Sequence, residues 1–227
     1  MYISSPTATA RTSTPIRRRR PASDAGLFLR EFLRAPLRTA SVVPSSRALA
    51  ARMIEPLISS GGPTQDPPVV VELGPGTGAF TEALPAALPA IRYAGIELNP
   101  TMGDHLLTRF PGIDLVRGPA SDLHGALAAR GLSSVDLVVG GLPWQAFAGT
   151  AGTDLVAALL APAGAYTQFT YTWSRWAPPG RRQHRELQRF FGRVELSPTV
   201  WRNLPPAVVY TATSPFRAVD DTFARSS

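Results

Sequence analysis

A run of apolar residues that turns directly into glycines constrains this chain more than any other feature. Val69-Val70-Val71-Glu72-Leu73 reads as a buried strand, and Gly74-Pro75-Gly76-Thr77-Gly78 follows it without a spacer. A short, β-branched apolar run bounded by turn residues predicts a strand covered on both faces, as in a parallel sheet. Glycines at alternate positions let backbone N–H groups approach a ligand that a Cβ would block. A helix is predicted to follow, to about Leu88. Strand, glycine loop and helix in this order make a nucleotide-type cradle at the carboxyl edge of a sheet. Glu97 stands 19 residues beyond Gly78, at the end of the next predicted strand, where an acid reaches both ribose hydroxyls.

The rest of the chain continues the alternation. Strands are predicted over 92–98, 113–117, 135–139 and 165–171, with helices over 101–109, 123–130, 154–160 and 181–190. Two further strands near 193–200 and 207–213 have only the short link 202–206 between them, which predicts an antiparallel hairpin. The fold class is therefore α/β, a seven-stranded and mostly parallel sheet with helices on both faces and a C-terminal antiparallel hairpin. The catalytic domain is placed at 65–217, with a short tail at 218–227.

The N-terminal end differs in kind. Residues 1–22 are rich in Ser, Thr, Pro and Arg without apolar periodicity, which predicts a disordered basic tail. Residues 23–64 read as helical: Asp24 caps a stretch that puts Leu27, Phe28, Phe32 and Leu33 on one face, and Ser45 or Ser46 caps a second helix over 46–58. Of the chain's net charge of +7, residues 1–38 carry +6, from eight arginines against Asp24 and Glu31. Such an end attracts anionic lipid or nucleic acid, and charge alone does not separate the two. The amphipathic stretch 25–35 and Arg17-Arg18-Arg19-Arg20 together suggest a two-signal anchor to an anionic membrane surface. No apolar run reaches the length of a membrane span. Cysteine is absent, which excludes disulfides and thiolate metal sites, and His105, His124 and His184 lack ligand spacing, so no metal is expected. The expected location is cytoplasmic, peripheral on the inner face of the cell membrane.

A glycine cradle with a ribose acid serves NAD or S-adenosyl-L-methionine. The G-x-G-x-G spacing, the carboxylate of Glu72 directly before it and the C-terminal hairpin favour the second. Glu72 is placed to hold the methionine ammonium, directly or through water. In the class I methyltransferases, which these motifs resemble, the transferred methyl emerges at the end of the fourth strand, where Gly140-Gly141-Leu142-Pro143-Trp144 stands here. An amine attacking a sulfonium methyl keeps its positive charge, so aromatic faces favour it: Trp144, Tyr171 and Tyr166 are the candidates. The carbonyls of Gly141 and Leu142 can orient an N–H. Arg175 and Arg202 can pair with a phosphate, though ordinary surface arginine explains both.

With these motifs the chain resembles the class I methyltransferases (Rossmann-like). Within them it is most similar to the bacterial phospholipid N-methyltransferases, relatives of the ribosomal RNA adenine dimethyltransferases. The similarity runs through Phe28 to Leu33, Ser41-Val42-Val43-Pro44-Ser45-Ser46, Val71 to Phe80, Gly95-Ile96-Glu97-Leu98-Asn99, Gly140 to Trp144, Gln168 to Tyr171 and Trp201 to Ala207. It implies a cofactor site of Glu72, Gly74, Gly76, Gly78, Glu97, Leu98, Ala120, Ser121 and Gly140, and an acceptor site of Gly141, Leu142, Trp144 and Tyr171. It implies methylation of phosphatidylethanolamine or a methylated derivative. Two departures matter. Pro119 removes one donor where relatives contact adenine, leaving Ala120, Ser121 or Asp122 for that role. Gly141 stands where the RNA enzymes carry asparagine, so no side-chain amide is available to read a base. An RNA adenine N6-methyltransferase, a methyltransferase for a small-molecule amine and a non-enzymatic binder of the cofactor are the competing functions. Nucleic acid is the less favoured partner, and the oligomeric state is not legible.

Overall fold

A computed structural model describes residues 45–58, 65, 67–87, 90–141, 152–172, 174–176 and 178–216. The predicted basic tail, the amphipathic stretch 25–35, Arg17 to Arg20, Leu142, Trp144 and the C-terminal tail lie outside the described residues.

Among the described residues one seven-stranded sheet has the order β3-β2-β1-β4-β5-β7-β6. The strands are β1 (Val69–Leu73), β2 (Arg92–Glu97), β3 (Leu115–Arg117), β4 (Val135–Gly140), β5 (Leu160–Tyr171), β6 (Phe191–Leu196) and β7 (Ala207–Pro215). The first five pair in parallel, while β7 runs antiparallel to both β5 and β6. Every residue of β1 and β4 is buried, so their continuous apolar runs follow from cover on two faces. One face carries α1 (Arg47–Ile54), α2 (Ala79–Ala87) and α3 (Pro100–Arg109), through Leu49, Met53, Phe80, Leu84, Leu106 and Phe110. The other carries α4 (Leu123–Ala128), α5 (Gly152–Leu159) and α6 (Pro178–Phe190), through Leu123, Leu127, Val156, Leu159 and Leu187.

Local signals explain the helix starts. Ser46 caps α1 by accepting the Leu49 N–H at 3.1 Å. Asn99 caps α3, accepting from Thr101 N at 2.9 Å, and Pro100 opens the helix where no N–H is needed. The polar helix α6 is amphipathic: Gln183 and Leu187 point inward, and Gln183 Nε2 donates to Gln168 Oε1 at 3.0 Å between two buried side chains.

The structure corrects several expected boundaries. The helix expected over 46–58 ends at Ile54 and tightens into a 3-10 turn over Glu55–Leu57, where Pro56 cannot continue an α-helix. The third strand keeps only Leu115–Arg117, because it is an edge strand with one partner. The fifth strand begins at Leu160, earlier than expected, and its register against β4 shifts between Val135 and Leu137. The last two strands are not joined by a tight link: β6 ends at Leu196, and the connection to β7 carries a short bridge from Val200 to Ala207.

Candidate functional site

Strand order reverses between β1 and β4, which opens a crevice at the carboxyl edge of the sheet. The glycine loop leaves β1 at this crevice. Gly74, Gly76 and Gly78 all take positive φ, at 68°, 57° and 80°. Gly78 is also closed to any side chain, since a Cβ there would lie 2.4 Å from the Phe110 ring. The loop is tied down by Gly74 N donating to Ile96 O at 2.8 Å and Gly78 N donating to Pro75 O at 2.9 Å. From below, the buried Arg109 guanidinium donates to the Thr77 carbonyl and to the Glu82 carboxylate.

Glu97 ends β2 beside the loop. Its Oε2 accepts the Gly76 N–H at 3.0 Å and its Oε1 accepts the Asn99 N–H at 2.8 Å. Burial raises its pKa above the ordinary carboxylate value, and these backbone N–H groups oppose the rise. Each oxygen keeps a lone pair for a further donor, as a ribose role requires. Gly118 N donates to Glu97 O at 3.1 Å, which brings the 3-10 turn Ala120–Asp122 to the same edge. Leu98, the next residue after Glu97, is exposed there, as is Ser121, while Ala120 is half-buried.

Glu72 lies at the centre of this arrangement and is fully buried. Thr81 Oγ1 donates to its Oε2 at 2.7 Å, and the Tyr93 hydroxyl donates to the same atom at 2.9 Å. Its Oε1 is buried with no hydrogen-bond partner. Burial pushes the carboxyl up to about 7, against the lowering effect of the two hydroxyls. Burial and the neighbouring carboxylate push the Tyr93 phenol well above its usual value, so it acts as a donor. Gly95, paired in register with Glu72, makes room for this contact: a Cβ at Gly95 would lie 2.8 Å from the Tyr93 hydroxyl. A buried carboxylate oxygen without a donor fits a cationic ammonium or a water, and the glycine loop fits an adenosine with backbone against it.

Gly140 and Gly141 close the crevice on the β4 side. Gly141 N donates to Leu73 O at 2.8 Å. A Cβ at Gly141 would stand 2.5 Å from the Gly74 carbonyl oxygen and 3.2 Å from that of Leu73. Close packing of two backbones therefore requires this glycine, so its lack of an amide is a matter of space as well as identity. Tyr166 is not part of the site. It is 1% exposed, stacks on Phe191 with ring centroids 6.3 Å apart, and sits beneath Gly140. Tyr171, on the opposite face of β5, is half-buried at the carboxyl edge. Its ring meets Phe169 edge-on at 5.8 Å, and Phe169 meets Phe80 at 6.1 Å. These rings form a row from the first turn of α2 to the end of β5. Arg175 stacks over Trp176 at 4.2 Å and lines a cavity of about 570 Å³ beside α6, and Arg202 is exposed on the β6–β7 connection.

Sequence reasoning brought Glu72, Gly74, Gly76, Gly78, Glu97, Leu98, Ala120, Ser121, Gly140, Gly141 and Tyr171 to one edge, and the structure has them there. It missed Thr81, Tyr93 and Arg109. An i to i+2 spacing from Tyr93 to a glycine paired with Glu72 was the available signal for one of them.

No protein-family model matches this chain. The ornithine lipid N-methyltransferase of Singulisphaera acidiphila is 34% identical over 193 residues, covering 81% of this chain and 93% of that enzyme. Solved structures share the fold at low identity. The precorrin-6y C5,15-methyltransferase of Geobacter metallireducens gives a TM-score of 0.51 at 17% identity, covering 75% of this chain and 88% of that one. Fibrillarin of Aeropyrum pernix, with natively bound S-adenosyl-L-methionine, gives 0.51 at 18% identity, covering 72% and 74%. Human methyltransferase-like protein 13, in complex with SAH, gives 0.50 at 16%, covering 79% and 95%.

Proposed function

We propose that this protein methylates the amine of a membrane-lipid headgroup, from the premise that the chain belongs to the bacterial lipid N-methyltransferase family. It is an S-adenosyl-L-methionine-dependent methyltransferase of class I fold. When bound, the cofactor supplies a methyl group on a sulfonium sulfur. The glycine loop would lie against its adenosine, Glu97 would take the ribose hydroxyls, and Glu72 Oε1 would take the ammonium. An amine held there would have to be unprotonated, so that its lone pair faced the methyl group. The carbonyls of Gly141 and Leu142 would orient its N–H, with Trp144 and Tyr171 as aromatic faces for the cation.

The observation that carries a lipid amine over an RNA base is the packing of Gly141. A planar base needs an amide to read its edge, and a Cβ at this position would collide with the Gly74 carbonyl at 2.5 Å. A flexible primary amine needs only carbonyls and an aromatic wall. Phosphatidylethanolamine and its methylated derivatives are the acceptors we favour, with ornithine lipid, after the relative's substrate, as the competing amine. The basic, amphipathic N-terminal segment supports work at an anionic membrane surface from the cytoplasmic side. Among the described residues no helix is long and apolar enough to cross a membrane.

Purified protein, given labelled cofactor and offered phosphatidylethanolamine vesicles, ornithine-lipid vesicles and RNA in parallel, tests this. Label in lipid amines is expected. Label in RNA adenine with none in either lipid would overturn the reading.

A further inference from the structure

The connection between β6 and β7 is built inside out for a loop in water. Its Asn203 side chain faces inward and is paired, and backbone bonds fasten the segment. Asn203 is 4% exposed; its Oδ1 accepts Ser46 N at 2.9 Å and its Nδ2 donates to Pro205 O at 2.8 Å. Val200 N donates to Ala207 O at 2.7 Å, and Pro206 O accepts from Thr172 N at 3.0 Å. The loop is thus fastened to α1 on one side and to the end of β5 on the other. Its large apolar side chains are held outward: Trp201 is 78% exposed and Leu204 73%. Trp176, 67% exposed, stands on the α6 side, five residues beyond the end of β5.

Arginines gather beside these groups among the described residues. Arg175 stacks on Trp176, Arg181 and Arg185 line the adjoining cavity, and Arg202 follows Trp201; none of the residues lining that cavity is acidic. Tryptophan held at an edge beside arginine suits a bilayer interface, where the ring takes the boundary and the guanidinium takes anionic headgroups. Position adds a third argument. The tie from Thr172 to Pro206 sets the loop at the carboxyl edge of β5, next to β4, whose end carries Gly140 and Gly141. A lipid amine reaches that edge without its acyl chains leaving the bilayer only if the same edge rests on the membrane.

We propose that Trp201 and Leu204, with Trp176 across the end of β5, form the wedge by which this protein enters an anionic bilayer and presents its crevice to the lipid headgroups. The proposal rests on the lipid-amine reading, and its test separates the two. The chain has no cysteine, so a single introduced thiol is labelled uniquely. Leu204→Cys and, as a control, Phe216→Cys would each carry an environment-sensitive fluorophore. Phe216 is also exposed, at 57%, but follows β7 at the opposite edge of the sheet. Vesicles of equal phosphatidylglycerol and phosphatidylethanolamine, with brominated acyl chains, should quench and blue-shift the label at 204 and leave that at 216 unchanged. In flotation, the double variant Trp201→Ser/Leu204→Ser should bind these vesicles about tenfold more weakly or worse, with cofactor affinity by calorimetry unchanged. Equal quenching at both sites, no quenching at 204, or unchanged flotation would overturn the wedge. So would a label at 204 that is blue-shifted before vesicles are added and insensitive to them, which would mean that another part of the chain covers it. Quenching at 204 without methylation of any lipid would sink the acceptor reading and leave the wedge. Lipid methylation without quenching would do the reverse.

Discussion

Replacing Glu72 with glutamine should change how stability depends on pH more than it changes stability itself. The carboxyl moves from an ordinary 4.5 to about 7 in the fold, chiefly through burial. A folded-state pKa raised above the unfolded one means that the folded chain holds a proton that the unfolded chain has released. The contribution of Glu72 is therefore fully present below the unfolded value, near 4.5, and is lost as pH rises through about 7. The interval corresponds to about 3 kcal/mol of stability lost between pH 4.5 and pH 8 in the cofactor-free protein. Glutamine cannot ionise, so the variant escapes this loss. It incurs a pH-independent cost of about 1–3 kcal/mol, because its amide N–H₂ would sit among groups that now donate to Oε2 or leave Oε1 unpartnered. The difference between the two proteins, measured by urea unfolding at a series of pH values from 5 to 8, should shift by about 2–3 kcal/mol in favour of the variant as pH rises. A second consequence concerns the cofactor. An ammonium at Oε1 favours the ionised carboxylate, so binding at pH 6 should release most of a proton from Glu72 of the wild type and none from that position in the variant. Calorimetry in buffers with different heats of protonation measures that number. Parallel stability curves would refute the buried-carboxylate argument, and equal proton release from the two proteins would refute the ammonium contact.

Three further outcomes are expected. Glu97→Ala should weaken cofactor binding by about 1–3 kcal/mol, measured by calorimetry on folded protein; unchanged affinity would remove Glu97 from the ribose role. Gly141→Ala should lower both cofactor affinity and turnover, because relieving a Cβ contact of 2.5 Å with the Gly74 carbonyl must displace the glycine loop, an overpacking cost of about 1–3 kcal/mol; normal cofactor affinity in this variant would contradict it. Trp144→Ala should cut turnover on lipid vesicles by about 10–100-fold through lost positioning, with cofactor affinity intact, as read from steady-state rates beside calorimetry.

The parts of the site that could be read from the chain alone are those set by neighbouring residues. Val69 to Gly78 encodes strand and turn within ten positions and leads straight into α2, and Asn99-Pro100 announces the helix that follows Glu97. The parts that escaped depend on register. Tyr93 meets Glu72 across 21 positions, Arg109 meets Thr77 across 32, and Asn203 meets Ser46 across 157. None of these contacts follows until the strand order and the pairing are known. Tyr166 and Tyr171 show the same limit in another form. Alternation along β5 puts them on opposite faces, but the pattern does not say which face borders the crevice. The structure answers that with Phe80, whose ring joins Phe169 and Tyr171 on the side of α1 and α2.

Donor and acceptor sides of the crevice are one rigid piece. Gly141 gives its N–H to Leu73 and leaves no space for a side chain against Gly74, so Gly141, on our reading the start of the acceptor site, is positioned by the glycine loop itself. Arg109 holds the same loop from beneath through Thr77. On our reading such a frame fixes where a methyl group is handed over, and positioning of that kind accelerates an in-line transfer. It says little about what receives the methyl group, because a rigid edge of glycines and carbonyls is open to any amine that reaches it. On our reading discrimination then comes from what flanks the edge: the residues that follow Gly141 in the sequence, Leu142-Pro143-Trp144, and the β6–β7 connection. Changes confined to those flanks should therefore alter the acceptor while leaving cofactor affinity in place, whereas any change at Gly141 should disturb both.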